Sequence, residues 1–172
     1  MHSAEPPHRD SQQPASSASL AVGASESADR EARGSPEDSA ATLAARSRIT
    51  LLVVDDAPAA RYALARGLRK LGFEVLEAGN GRQALRLAPL CAAVLLDVQL
   101  PDLPGTEVCR RLRQSPRTSK LPVLHVSSLA PHEHAPDVGS FDAADGYFVR
   151  PVDVVVVASL IEELLRKRSE GH

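Results

Sequence analysis

The sequence predicts an α/β domain over residues 48–168, in which helices flank a five-stranded parallel sheet. From residue 48 onward, short apolar runs alternate five times with longer amphipathic stretches, which is the pattern of repeated strand and helix units. The short runs are apolar almost throughout, as strands require when helices cover both faces of their sheet. Proline and glycine residues separate the segments and mark the turns.

The first unit has a clear beginning and end. Residues 49–54 form a continuous apolar run that predicts the first strand, and Asp55 and Asp56 follow it directly. A helix is expected to begin at Pro58, because the fixed φ angle of proline suits the first helical position. Proline lacks an amide hydrogen, but at this position that hydrogen would have no partner in the helix. Leucine residues at helical spacing continue until Gly72, where we expect the helix to end.

The second and third units repeat this alternation. Residues 73–78 and 92–96 predict two further strands, and residues 82–88 and 106–114 predict the helices that follow them. Between the third strand and its helix lies a loop at residues 100–105, where two prolines and a glycine are typical of an irregular connection.

The last two units are less regular. Residues 121–127 and 146–149 predict the fourth and fifth strands, and residues 152–167 predict the last helix. Residues 128–145 should hold the fourth helix, but Pro136 would remove a helical hydrogen bond and clash with the preceding turn. We therefore expect a short or broken helix in this segment.

The apolar run at residues 154–157 leaves two roles open. It either contacts the core or forms a surface for a partner, which includes a weak homodimer.

The chain outside this domain is predicted to be unstructured. Residues 1–47 are dominated by alanine and serine and contain few large apolar side chains, so they cannot bury enough surface to offset the entropy of folding. We interpret them as a disordered tail, although helix propensity alone would allow a short turn near residues 40–46. Residues 169–172 are interpreted as a short C-terminal tail.

The composition argues against several functional classes. The formal net charge is -2 and only 3% of the residues are aromatic, which disfavours a strongly basic nucleic-acid binder that stacks bases on aromatic rings. The longest apolar stretch falls far short of the roughly 20 residues of a membrane-spanning helix. Cys91 and Cys109 show neither a disulfide framework nor a paired metal motif. We predict a reduced, cytoplasmic protein that binds neither nucleic acid nor membrane.

Charged and hydroxyl side chains come directly after the predicted strands. In an open α/β sheet, ligands bind beyond the carboxyl ends of the strands, where this sequence places Asp55, Asp56, Asp97, Ser127 and Arg150. Converging carboxylates repel one another unless a cation relieves them, and Mg²⁺ prefers oxygen ligands and keeps positions open for phosphate. With a hydroxyl group and a fixed positive charge opposite the carboxylates, the site is suited to receiving a phosphoryl group.

Four motifs, taken in order, carry a resemblance to a known family. They are LLVVDD at residues 51–56, LLDVQLPDLPG at residues 95–105, PVLHVSS at residues 122–128 and GYFVRP at residues 146–151. Residues 48 to about 168 thereby resemble the receiver domain of bacterial two-component response regulators, the CheY-like superfamily. The resemblance implies a flavodoxin-like, doubly wound fold with strand order 2-1-3-4-5.

The resemblance also implies a role for each site residue. Asp97 corresponds to the phosphoacceptor, which takes a phosphoryl group from a sensor histidine kinase or a phosphotransfer protein. Ser127 corresponds to the hydroxyl residue that moves to bind this group, and Tyr147 to the aromatic residue that rotates with it. The implied ligands of Mg²⁺ are Asp55, Asp56, Asp97 and the main-chain carbonyl of Gln99.

Output is expected to pass through an unidentified partner protein, because too few residues follow Pro151 for a DNA-binding domain. We do not expect an enzyme that acts on other substrates. Catalysis would be limited to phosphotransfer to Asp97 itself and to hydrolysis of the product. The peptide bond between Arg150 and Pro151 is expected to be cis, as in the family and as proline permits.

Arg150 departs from the family pattern, which usually has lysine before this proline. One interpretation is a conservative replacement. The other is that the planar guanidinium pairs with Asp97 or Asp56 when no phosphoryl group is present and weakens switching. An alternative function is therefore a phosphorylation-independent interaction module, a pseudo-receiver with the same fold. A cofactor-binding enzyme of flavodoxin-like fold is disfavoured, because the first strand ends in Asp55 and Asp56 rather than in a phosphate-cradling loop.

Overall fold

A five-stranded parallel sheet forms the centre of the fold. The structure, a computed structural model, describes residues 36–128 and 143–170, and these belong to one unit that begins at Ser35. The strand order is β2-β1-β3-β4-β5, and every neighbouring pair is parallel. The strands are β1 (Thr50–Val54), β2 (Glu74–Ala78), β3 (Ala93–Asp97), β4 (Val123–Ser127) and β5 (Gly146–Val149).

Five α-helices accompany the sheet in the described part of the chain. They are α1 (Pro36–Arg46), α2 (Pro58–Lys70), α3 (Gly81–Leu87), α4 (Gly105–Gln114) and α5 (Val154–Glu170), and a 3₁₀ turn (Ala88–Leu90) follows α3. Within the described residues, no helix combines the length and the apolar character that crossing a bilayer requires.

These elements confirm the predicted fold class and strand order. Four strands differ from their predicted bounds by one or two residues, and β5 coincides with its prediction. The last helix continues to Glu170, where the sequence predicted a tail from residue 169. The broken helix predicted within residues 128–145 falls largely outside the described residues, since residues 129–142 are not described.

Alternate residues of each strand enter two different cores. In β1, Leu51 and Val53 pack in a cluster with side chains of α2 and α5, whereas Leu52 and Val54 pack with side chains of α3 and α4. All four are at most 2% exposed. Burial on both faces therefore explains the uniformly apolar strands, and it leaves the carboxyl ends of the strands as the place where polar side chains collect.

The apolar run at the start of α5 divides between the core and the surface. Val157 is fully buried, and Val154 packs so closely on α2 that a Cβ atom at Gly67 would meet its side chain at 2.9 Å. Val155 and Val156 remain 58% and 54% exposed. Core contact thus accounts for half of this run, and the predicted weak homodimer stays a prediction.

The segment predicted to be a disordered tail contains the helix α1. Arg46, its last residue, donates two hydrogen bonds from Nε and Nη2 to the carboxylate of Glu162 on α5, at 2.6 and 3.1 Å. Its guanidinium carbon also lies 5.2 Å from the ring centroid of Phe73. Composition could not reveal this contact, because Glu162 lies 116 residues further along the chain. Disorder of residues 1–35 stays a prediction, as these residues and residues 171–172 are not described.

We expect the contact between Arg46 and Glu162 to hold α1 on the domain. Arg46→Gln should lower the free energy of unfolding by about 1–2 kcal/mol, because it removes two charge-assisted hydrogen bonds and a cation–π contact. Urea denaturation measures this change, with Arg48→Gln as the control, since Arg48 is exposed. Equal stability of the two variants would show that α1 does not depend on this pair.

Candidate functional site

Three carboxylates meet at the carboxyl ends of β1 and β3. Asp55 follows β1 directly, Asp97 is the last residue of β3, and the two strands are hydrogen-bonded neighbours. Carboxylate oxygens of Asp55, Asp56 and Asp97 all lie within 4.8 Å of one another. Asp55 and Asp97 are buried, with 1% and 7% exposure, whereas Asp56 is exposed. The sequence predicted this convergence from the positions of the strand ends.

The chemistry of these donors fits a divalent cation. Two buried carboxylates and an exposed one carry mutually repelling negative charge, which a hard cation with oxygen ligands relieves. Asp55, Asp56 and Asp97 are the residues that would hold Mg²⁺. Gln99, whose carbonyl is the fourth predicted ligand, takes part in the site through its amide, which donates a 3.1 Å hydrogen bond to Oδ1 of Asp97.

Backbone amides orient the two buried carboxylates. Oδ1 of Asp55 accepts a hydrogen bond from the amide of Ala57 at 2.8 Å, as Oδ1 of Asp97 does from Gln99. In each residue the Oδ2 atom is therefore the oxygen left for other partners. Burial raises the pKa of Asp97, and the nearby charges of Asp55 and Asp56 also raise it, while the Gln99 amide and Arg150 act in the opposite direction.

Arg150 places a positive charge between these two carboxylates. Its Nη2 atom donates a hydrogen bond to Oδ2 of Asp55 and lies 3.6 Å from Oδ2 of Asp97. Its amide donates to the carbonyl of Ser127 at 2.8 Å, which ties it to the end of β4. The ion pair with Asp97 agrees with the sequence-based hypothesis, but the hydrogen-bonded partner is Asp55 rather than Asp56. The Arg150–Pro151 peptide bond is cis, as predicted.

Ser127 and Tyr147 lie on neighbouring strands beside the carboxylates. Ser127 ends β4 and is 1% exposed, and β4 pairs with β3 so that Val126 lies opposite Asp97. Tyr147 is half-buried on β5, opposite His125 in the register, with their ring centroids 6.3 Å apart. Alternate residues of a strand share a face, so His125 and Ser127 lie on the same side of the sheet. His125 is therefore next to Tyr147 across the strands and next to Ser127 along β4. The sequence did not assign His125 this position.

A glycine fixes the loop behind Asp97. Gly105 donates a hydrogen bond from its amide to the carbonyl of Val98 at 2.8 Å. A Cβ atom at Gly105 would lie 2.1 Å from the carbonyl oxygen of Asp97, which no side chain tolerates. The start of α4 can therefore approach the end of β3 only because residue 105 is glycine.

Asp102 fastens the same loop to α3. Its two carboxylate oxygens accept hydrogen bonds from the amides of Gly81 and Arg82 at 2.7 and 2.9 Å. These amides belong to the first turn of α3, where a helix leaves them unpaired. The sequence did not predict this role, because nothing in it shows that the loop lies against the first turn of α3.

Arg61 is a second cation at the site that the sequence did not single out. Its Nη1 atom donates to the main-chain carbonyl of Asp55 at 2.6 Å, and its Nε atom lies 3.4 Å from the carboxylate of Glu77. Arg61 thus supports the backbone of Asp55, whereas Arg150 contacts its side chain.

Known proteins resemble this chain in sequence and in fold. A family model described as the response regulator receiver domain matches residues 51–162, more than half of the chain. The DNA-binding dual master transcriptional regulator RpaA of Synechocystis sp. is 33% identical over 120 residues, which cover 68% of this chain and 49% of RpaA. This chain therefore spans about half the length of that relative.

Two solved structures extend the comparison. The receiver domain of a signal transduction histidine kinase from Syntrophus aciditrophicus is 29% identical, with a TM-score of 0.61, and the match covers 69% of this chain and 91% of that one. TrrA of Thermotoga maritima, a response regulator in complex with Mg²⁺ and BeF, is 26% identical with a TM-score of 0.59, and the match covers 67% of this chain and 98% of that one. The chain belongs to the family of response regulator receiver domains of two-component systems.

Proposed function

We propose that the chain is a phosphoacceptor receiver that takes a phosphoryl group onto Asp97 and signals through protein–protein contacts. The donor is a sensor histidine kinase or a phosphotransfer protein, and the exchange takes place in the cytoplasm. The observation that carries this proposal is the meeting of Asp55, Asp56 and Asp97 within 4.8 Å, with Arg150 between two of them.

The orientation of Asp97 suits a nucleophile. Because Gln99 holds Oδ1, Oδ2 is the oxygen that would attack phosphorus. A new P–O bond forms while the P–N bond of the donor phosphohistidine breaks, and the released electron pair stays on the imidazole nitrogen, which takes up a proton from water. Mg²⁺ held by the three carboxylates would neutralise the charge of the phosphoryl oxygens.

Arg150 and Ser127 supply the remaining contacts in this proposal. The guanidinium of Arg150 is already within 3.6 Å of Asp97 Oδ2 and can donate to the phosphoryl oxygens, as can the hydroxyl of Ser127 at the end of β4. The product carries about −1.5 to −2 charges where one carboxylate charge stood, if it titrates like other phosphorylated side chains. Such a change is sufficient to bias a two-state element, for which Ser127 and Tyr147 are the candidates.

We expect the protein to gain a phosphoryl adduct when it is treated with a small acyl phosphate and Mg²⁺. Asp97→Asn should abolish the adduct, because the amide is not a nucleophile, and intact mass spectrometry measures this loss. Asp153→Asn is the matched control: Asp153 is an exposed carboxylate that accepts a hydrogen bond from the amide of Val155 at the start of α5, a role asparagine also fills. An adduct that persists in Asp97→Asn would contradict the assignment.

A second function is favoured by the position of Arg150. Its pairing with Asp55 and Asp97 neutralises part of the site without any phosphoryl group, as a phosphorylation-independent interaction module would require. A folded protein that binds Mg²⁺ but gains no adduct would favour this module over the phosphoacceptor.

A further inference from the structure

We propose that the outer surface formed by α3, the 3₁₀ turn and the connection from α4 to β4 binds an acidic segment of a partner protein. This basic surface consists of five exposed residues, Arg82, Arg86, Leu90, Arg117 and Lys120. It lies outside the carboxylate site. The inference goes beyond the proposed function, because binding there does not require a phosphoryl group on Asp97.

The charges of the domain are unevenly distributed. Residues 82–96 and 105–122, which include α3, α4 and the connections that follow them, contain seven arginines and lysines but one acidic residue, Glu107. The rest of residues 48–172 contains nine basic and fourteen acidic residues. The small net charge of the chain therefore conceals a strongly positive layer on the side of the sheet that α3 and α4 cover.

Most cations of this layer lack an acidic partner. Arg110 and Arg111 share the single carboxylate of Glu107, at 2.6 and 2.7 Å. Elsewhere on the domain, exposed cations have their own acidic partners, as Lys167 does in Glu163 at 2.6 Å. Among the residues that the structure describes, no side-chain hydrogen bond or salt bridge is made by Arg82, Arg86, Arg117 or Lys120.

The sheet brings the two ends of this surface together. Arg86 lies one helical turn before Leu90, and the chain then enters β3. Arg117 and Lys120 lie in the connection from α4, and the chain then enters β4. Because β3 and β4 are paired in parallel, the two connections reach the same edge of the sheet side by side. The cations therefore surround an exposed leucine at the amino ends of these strands.

Hydrogen bonds hold the connection from α4 to β4 in one conformation. The hydroxyl of Thr118 donates to the carbonyl of Leu112 at 2.8 Å, and Thr118 is 2% exposed. Nη1 of Arg113 donates to the carbonyl of Leu121 at 2.7 Å. The two cations of this connection are thus displayed from a fixed turn, which reduces the entropy that a partner loses them on binding.

The chemistry of the basic surface favours an acidic peptide segment. Cations without partners attract carboxylates, and complementary charge also speeds association. Leu90 is 66% exposed and offers an apolar contact, which suits the apolar side chains of a peptide better than a sugar–phosphate backbone. Residues 82–122 contain no aromatic residue on which bases could stack. We therefore assign the surface to an acidic protein segment that carries apolar side chains among its carboxylates.

Titration of a labelled peptide tests this assignment. The probe is a fluorescein-labelled peptide of glutamates interspersed with leucines, and fluorescence anisotropy measures its affinity at low ionic strength. The triple variant Arg86→Gln, Arg117→Gln and Lys120→Gln should bind about tenfold more weakly than the wild type, because three exposed ion pairs are lost. Leu90→Ser should weaken binding of this peptide as well, but not that of a peptide with alanine in place of leucine.

A second triple variant is the matched control. Arg48→Gln, Arg66→Gln and Lys70→Gln also removes two arginines and one lysine, all exposed, but it leaves the basic surface intact. Its affinity should stay within about twofold of the wild type. Circular dichroism verifies that both variants are folded. In NMR spectra of the wild type, the peptide should shift the amides of α3, Leu90 and residues 115–121.

Four outcomes would overturn the proposal. Equal losses in the two triple variants would mean that the peptide responds only to net charge. Amide shifts confined to α2 and α5 would place the binding elsewhere, and tighter binding of a single-stranded DNA of equal charge would make the occupant a nucleic acid. The absence of peptide binding is the fourth. No phosphodonor is present in these titrations, so their result is independent of whether Asp97 accepts a phosphoryl group.

Discussion

Gly105→Ala is expected to lower the free energy of unfolding by about 3 kcal/mol or more. The added methyl group would lie 2.1 Å from the carbonyl oxygen of Asp97 and 2.9 Å from Cα of Val98. Both obstacles are backbone atoms, so rotation of a side chain cannot relieve the overlap. The start of α4 must move away from β3, and the hydrogen bond from Gly105 to Val98 is weakened as well.

Gly79→Ala is the matched control for this substitution. A Cβ atom at Gly79 would lie 3.5 Å from Nη1 of Arg61, an ordinary contact with a flexible side chain. Urea denaturation should find this variant close to the wild type and Gly105→Ala far below it. Because Gly105 touches the main chain of Asp97, the alanine variant should also lose phosphoryl adduct under conditions where it is still folded. Equal stability of the two variants would contradict this account of the loop.

The second large effect is expected at Asp145, the residue before β5. Its Oδ2 atom accepts hydrogen bonds from the amide of Val123 and from Nη2 of Arg113, both at 2.8 Å, and its Oδ1 atom accepts one from Arg168 at 2.6 Å. The carboxylate therefore joins β4, α4 and α5. Asp145→Asn should lower the free energy of unfolding by about 3 kcal/mol. It removes the negative charge that two partly buried arginines share, and the NH₂ group of asparagine would face one of the N–H donors that the carboxylate now accepts from.

Glu170→Gln provides the comparison for Asp145→Asn. Glu170 pairs with Arg166 one turn earlier on α5, and both side chains are 59% exposed. Solvent screens such pairs, so this variant should lie within about 0.5 kcal/mol of the wild type. Denaturation of both variants by urea measures the difference. If Asp145→Asn is no less stable than Glu170→Gln, the three-way contact contributes little to the fold.

The sequence was sufficient to predict what depends on local pattern. Apolar runs and turn residues predicted each strand that the structure describes, and the strand ends predicted that Asp55 and Asp97 would meet. Parallel strands make this inference direct, because their carboxyl ends share one edge of the sheet. The family resemblance then implied the strand order, which the structure confirms.

The residues that the sequence missed share a different property. Asp102, Asp145 and Arg46 act through partners that lie 21, 23 and 116 residues away along the chain. The fold determines these pairs, because it brings distant surfaces of the chain together. A charged surface residue has no sequence pattern that identifies its partner. The same reason explains why α1 was not predicted as a docked helix, since its composition alone resembles a solvated tail.

The sheet order also determines when the site acquires its charges during synthesis. β1 pairs with β3, so residues 50–97 already contain the strands that bring Asp55 and Asp97 together, whereas Arg150 follows β5, at the far edge of the sheet. Synthesis proceeds from the N-terminus, and a domain folds as a unit once its elements are available. The three carboxylates are therefore made before Arg150, and the guanidinium joins them only when β5 completes the sheet.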